Sequence, residues 1–175
     1  MSKLYNIKNW TRQNLWAWMV ENAETQSKMQ AFRADQIFYW LYQQKVESFA
    51  EMLNISQEIR KMLEEHFWIS SMKIAESQKS QDGSIKYRLL LVDGYSIECV
   101  FMPHTNHNTV CVSSQVGCGM GCDFCMTGTM GLVRNLKTAE IIDQILTVWG
   151  DLPDEQNLRN IVFMGMGEPF HNYKN

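Results

Sequence analysis

The residue pattern predicts an α/β fold led by a small helical segment, and three observations carry that prediction. Apolar residues recur at helical spacing through residues 4–68. Two Asp-Gly pairs punctuate alternating segments between 72 and 102, and a strand, loop, amphipathic helix and strand follow one another from 109 to 164. That last order marks a parallel crossover unit. The boundaries it suggests are a helical domain at 1–70, a β-meander region at 71–105 and an α/β portion at 106–175.

In the helical part, Leu15, Trp16, Met19 and Val20 form a stripe behind a possible cap at Thr11. Ile37, Phe38, Leu41 and Tyr42 form a second stripe, and Ile59, Met62, Leu63 and Phe67 a third behind Ser56. A hydroxyl before the first and third runs, with an acid in the first turn of the third, is an ordinary helix start; the second run begins near Arg33-Ala-Asp-Gln. Trp16, Trp18, Tyr39 and Trp40 have rings that can stack on bases, but at helical spacing such rings belong more often to the core.

Asp82-Gly83 and Asp93-Gly94 then predict hairpin turns between strands at roughly 72–79, 85–91 and 95–102. On the last strand Ile97, Cys99 and Phe101 share one face, leaving Glu98 on the polar face with Ser96 and Val100. Thr109 to Ser113 is β-branched and apolar, as a first core strand should be. Beyond the following loop, Thr138 reads as an N-cap with Glu140 in the first turn, and Ile141, Ile142, Ile145, Leu146 and Trp149 mark an amphipathic helix. A loop around Leu152-Pro-Asp-Glu leads to a buried strand at about 161–164.

Composition narrows the class. The chain has 175 residues, is 45% hydrophobic and carries a net charge of −3, which is enough for one or two small cores but gives no basic footprint for nucleic acid. No apolar run is long enough to span a bilayer, and no basic-then-apolar start marks a secretory signal, so no membrane association is expected. Its 5 cysteines are an odd count with three crowded into one loop. That arithmetic suits a reduced, cytoplasmic metal protein better than a disulfide framework.

Those three are Cys118, Cys122 and Cys125, in a C-x3-C-x2-C spacing set among Gly117, Gly119 and Gly121. Structural zinc and simple ferredoxin clusters both take four protein ligands. Three thiolates instead leave one iron of a [4Fe–4S] cube open to a small molecule. A zinc loop completed from elsewhere, or three buried thiols, are the plainer readings of the spacing alone. His104 and His107 also invite a metal reading, but an exposed His-Thr-Asn-His loop is more often without one.

The flanking segments add to this. CVSSQVGC ends at Cys118, Arg134-Asn-Leu follows the cysteine loop, and Gly165-Met-Gly-Glu-Pro169 follows the last strand. Together these motifs resemble the RlmN/Cfr family of radical S-adenosylmethionine (SAM) enzymes, which methylate adenine in RNA. The resemblance runs through essentially all 175 residues. It implies the N-terminal part of a radical SAM partial (β/α) barrel, preceded by a helix-hairpin-helix-like accessory domain that helps grip RNA and by the meander. It implies further βα units beyond Asn175, so that the chain corresponds to an N-terminal portion expected to be inactive alone.

The resemblance also implies roles. Cys118, Cys122 and Cys125 would hold a [4Fe–4S] cluster, while Gly167 and Glu168 would hold SAM. Glu98 would be the proton acceptor. Cys111 would be a second catalytic cysteine, forming a transient disulfide with a methyl-carrying cysteine that has no counterpart here; read from its strand position alone, Cys111, like Cys99, is a buried core thiol. The implied activity is methylation of adenine C2 in 23S rRNA and in tRNA, with a flavodoxin-type electron donor in the cytoplasm. The C8-methylating Cfr branch is the nearest alternative, and a non-catalytic zinc- or RNA-binding fragment is the alternative of another class. No protein partner is inferable.

Overall fold

A computed structural model describes residues 4–23, 30–153 and 158–175. Positions 24–29 of the expected helical segment, and Asp154 and Glu155 of the expected loop, lie outside the described residues. The chain divides into two compact units, Met1–Ser70 and Ser71–Asn175.

In the first unit β1 (Tyr5–Asn6) precedes the helices α1 (Arg12–Asn22), α2 (Phe32–Tyr42) and α3 (Gln57–His66), and β2 (Phe67–Trp68) closes it by pairing in parallel with β1. The starts of α1 and α3 follow the sequence: Thr11 accepts from the Asn14 N–H at 3.1 Å, and Ser56 accepts from that of Ile59 at 3.5 Å. Leu15 and Met19 of α1, Ile37 and Leu41 of α2, and Leu63 of α3 are fully buried together. Each such side chain contributes about 1.5–3 kcal/mol through its removal from water. Trp10 and Trp18 meet Phe67 edge-on, at 5.1 and 4.7 Å between ring centroids. Trp18 and Trp40 pack against this core, as helical spacing predicts, whereas Tyr39 of the same α2 is exposed.

The second unit is built on one five-stranded sheet. It contains β3 (Lys73–Lys79), β4 (Ile85–Leu90), β5 (Ser96–Pro103) and β6 (Asn108–Cys111), followed by β7 (Gln115–Cys118), α4 (Met126–Thr129), β8 (Gly131–Asn135), α5 (Thr138–Asp151) and β9 (Leu158–Val162). The sheet order is β3-β4-β5-β6-β9, antiparallel up to β6 and parallel between β6 and β9. The two Asp-Gly turns join β3 to β4 and β4 to β5, with Gly83 at φ +87° and Gly94 at φ +88°. In this left-handed region glycine avoids the Cβ clash. Ile97, Cys99 and Phe101 face a core shared with Tyr87, Leu89, Val110 and Val112, onto which Val148 of α5 packs.

Three expectations are corrected. The second core strand runs over Leu158–Val162 rather than 161–164, and much of it is exposed, with Phe163 and Met164 outside it. Among the described residues β9 ends the sheet order, so its apolar content is not matched by burial on both faces. The α5 helix has Lys137 at its N-cap and Thr138 as its first residue. The Glu140 carboxylate reaches back to accept from the Lys137 N–H at 2.8 Å, which satisfies an orphan donor in place of a threonine cap. Finally, the strand before the cysteines stops at Cys111, and a separate hairpin of β7 and β8 carries Cys118; no alternation in that glycine-containing stretch signals it.

Candidate functional site

The segment Val112–Gln115 leaves the sheet at the end of β6 and is laced on one side to the turn at Gly165–Glu168. Val112 N–H donates to Val162 O at 2.9 Å, and Gly165 N–H donates to Val112 O at 3.1 Å. Ser114 and Gln115 N–H both donate to Met166 O, at 2.8 and 3.2 Å. The approach is close enough to exclude side chains. A Cβ on Gly165 would stand 2.8 Å from Val112 O, and one on Gly167, at φ +98°, would stand 2.5 Å from the Gln115 Cβ. Two motifs far apart in sequence thus form one backbone ladder.

Buried polar side chains complete the lacing. Ser113 Oγ donates to Glu98 O at 2.6 Å and accepts from Met166 N–H at 2.9 Å. The Gln144 amide of α5 clasps the Ser113 backbone at both ends, accepting from its N–H at 2.8 Å and donating to its C=O at 2.9 Å. Asn172 donates to Ser114 O and Leu136 O, both at 2.8 Å. Each of these groups would cost about 1–3 kcal/mol if left buried and unpaired. Ser113, Gln144 and Asn172 carry no catalytic signature in the sequence. The one hint is the polar run Ser-Ser-Gln directly behind an apolar strand.

Glu98 enters this arrangement through its backbone. Its C=O accepts from Ser113 Oγ, and its N–H donates to the Met166 sulfur at 3.3 Å, while its exposed carboxylate accepts from Lys86 Nζ at 3.1 Å. The Glu168 carboxylate accepts from the Phe170 N–H at 3.0 Å and so caps the short 3-10 turn Pro169–Asn172. Cys111 pairs across the sheet with Val100 and is buried. Burial pushes its thiol pKa up, while a hydrogen bond from the Met164 backbone pulls the other way. Cys99 is more deeply buried, and desolvation, then the neighbouring Cys111, pushes its pKa up to about 12.

The cysteine loop is held by the β7–β8 hairpin. Gly117, at φ +74°, sits so close to β8 that an added Cβ would be 1.9 Å from Gly131 O. Arg134 of β8 grips Glu140 of α5 with two parallel bonds of 2.8 and 2.7 Å and also donates to Asp93 at 2.7 Å. This fork geometry is specific to the guanidinium group. All three loop cysteines are free thiols: Cys118 is buried on β7, Cys125 is half-buried before α4, and Cys122 is exposed between them.

The structure therefore joins Glu98, Cys111, Cys118, Gly167 and Glu168 through one hydrogen-bonded framework. It does not gather the three sulfurs. Among the described residues, no group of three His, Cys, Asp or Glu side chains is placed to hold a metal ion. His104 and His107 stack on each other at 4.8 Å. No helix among the described residues is long and apolar enough to cross a membrane.

Residues 5–69 match the family described as the ribosomal RNA large subunit methyltransferase N-terminal domain of RlmN. The chain is 48% identical over 170 residues to the dual-specificity RNA methyltransferase RlmN of Geotalea uraniireducens, covering 97% of this chain and 47% of that protein. Over the length it spans, the chain is similar to RlmN proteins. The probable dual-specificity RNA methyltransferase RlmN of Staphylococcus aureus is 44% identical over 171 residues, covering 97% of this chain and 45% of that protein. A crystal structure of a radical SAM methyltransferase from Sphaerobacter thermophilus superposes with a TM-score of 0.83 at 35% identity, covering 97% of this chain and 49% of that one. The chain thus spans about half the length of the RlmN proteins it matches.

Proposed function

We propose that the protein is a cytoplasmic radical SAM methyltransferase that methylates C2 of adenine in 23S rRNA and in tRNA, and that this chain supplies the first part of its partial (β/α) barrel. One observation carries the reading: the ladder between Val112–Gln115 and Gly165–Glu168 sets the glycine-rich turn beside the strand that ends in Cys118. Similarity to a dual-specificity RNA methyltransferase and to a radical SAM methyltransferase of known structure supports it.

The fit to an iron–sulfur cluster is one of donor chemistry. Soft thiolates suit iron–sulfur clusters, and Cys118, Cys122 and Cys125 are three free thiols on one loop, opened by glycines at positive φ at positions 117 and 121. When bound, the cluster and SAM would supply a reductively generated carbon radical, with electrons from a flavodoxin-type donor. The chain's own residues would do the rest. Gly167 lets the backbone come close to SAM, and the Glu168 carboxylate would accept from the SAM ammonium. Glu98 would accept the proton lost from the adenine ring. Cys111 would act as the second catalytic cysteine, held as a protonated thiol by its burial until it is called on.

Anaerobic reconstitution tests the reading. The chain is expected to take up about four iron and four sulfide per protein. Serine at Cys118, Cys122 or Cys125 should abolish this, and Cys99→Ser should not. Stoichiometric zinc without iron would select the zinc-loop alternative. Mass spectrometry of RNA from cells making the protein should show methyl at adenine C2; methyl confined to C8 would place the activity in the Cfr branch.

A further inference from the structure

Gln115 is 1% exposed, and the roles proposed above do not use it. Its Oε1 accepts from the Glu168 N–H at 2.9 Å, and its Nε2 donates to Asn135 Oδ1 of β8 at 2.8 Å. Asn135 Nδ2 in turn donates to His171 O at 3.2 Å. These bonds form a directional relay across two side-chain amides, and each end is a backbone group of fixed polarity. The Glu168 N–H can only donate and the His171 carbonyl can only accept, so neither amide can flip without facing like against like. A buried amide with both ends engaged is costly to rotate, since each lost bond strands a desolvated group. Gly167 is pressed against the same side chain, because a Cβ there would meet the Gln115 Cβ at 2.5 Å.

Gln115 is also the first residue of the strand that ends in Cys118. Accordingly, we propose that Gln115 is a positioning residue, which through Asn135 and Glu168 fixes the Gly167–Glu168 turn relative to Cys118 and so sets the distance between bound SAM and the cluster. Where it concerns SAM and the cluster, this rests on the function proposed above. Where it concerns the turn, it rests on the relay alone. A hydrophobic side chain of equal size would fill the space yet leave the Glu168 N–H and Asn135 Oδ1 unpaired.

The experiment compares wild type, Gln115→Met and Asn135→Ala, each as the full chain. Amide hydrogen exchange is read at Glu168, with labelled-SAM binding and iron content read after anaerobic reconstitution. Gln115→Met is expected to raise exchange at Glu168 about tenfold, the loss of one ordinary hydrogen bond, while exchange in β4 and β5 is unchanged. SAM affinity should fall about tenfold at unchanged iron and sulfide. A purely structural role would instead lower iron content and raise exchange throughout the unit. Asn135→Ala, at the exposed link, should move both readouts the same way by a smaller factor, and it decides the matter if Gln115→Met does not fold. Unchanged exchange at Glu168 would overturn the proposal, as would raised exchange with unaltered SAM affinity. If wild type takes up no iron and binds no SAM, the proposed function fails, and exchange at Glu168 alone decides whether Gln115 holds the turn.

Discussion

Burial pushes the thiol pKa values of Cys99 and Cys111 up. Cys99 has its thiol pKa raised from 9.0 to about 12, first by desolvation and then by Cys111 beside it. In the unfolded chain the same thiol loses its proton near 9.0, so between about 9 and 12 the unfolded state binds fewer protons than the folded one. Stability then falls as pH rises through that window, and the contribution of the neutral thiol is fully present below it. Urea melts at pH 8 and pH 10.5 are expected to show this loss in wild type and a smaller one in Cys99→Ala. An equal loss in the two proteins would exclude Cys99 as its source. The alternation of Ile97, Cys99 and Phe101 makes the burial of Cys99 legible in the sequence. Contact with Cys111 is not, because it depends on the register that pairs Val100 with Cys111.

At the scale of elements, the β7–β8 hairpin shows how a short strand forms without any alternation of apolar residues. Its strands are held by backbone bonds, by Gly117 lying against Gly131, and by Arg134 bridging to Glu140 and Asp93. A Gly117→Ala chain has to place a Cβ at φ +74° and 1.9 Å from a carbonyl oxygen. The left-handed backbone alone costs about 1–2 kcal/mol, and the steric clash adds to it. The hairpin is therefore expected to open in that variant, with limited proteolysis cutting between 117 and 135 and with iron uptake lost. Uptake equal to wild type would show that the hairpin does not hold the loop. The sequence marks Gly117 and Arg134 as parts of motifs, but their partners sit on other elements. Asp93 lies in the turn between β4 and β5, so an ion pair with Arg134 is set by how the sheet places that turn.

For the molecule as a whole, the two compact units each have their own core. Leu41 is fully buried in the first, and truncation to alanine leaves a cavity costing about 2–5 kcal/mol. Hydrogen exchange of Leu41→Ala should quicken through α1, α2 and α3 while β4 and β5 keep wild-type protection. Equal quickening in both would mean that the units unfold as one. At this scale the sequence predicts a helical segment, a meander and a crossover. The structure adds that the meander and the strands β6 and β9 are one continuous sheet.

The sequence by itself determined the local features. Hydroxyl caps at Thr11 and Ser56, the two Asp-Gly hairpins and the inward face of β5 all rest on interactions within a few residues or on a simple period. Only the tertiary structure decided that Ser113 and Gln115 hold the Gly165–Glu168 turn, that Gln144 clasps Ser113, and that Glu98 is tied by its backbone to Met166. These are bonds between groups on different elements. A polar side chain shows no sign in sequence of whether it faces water or a buried backbone partner, and the free energy that selects the partner appears only once water has been excluded.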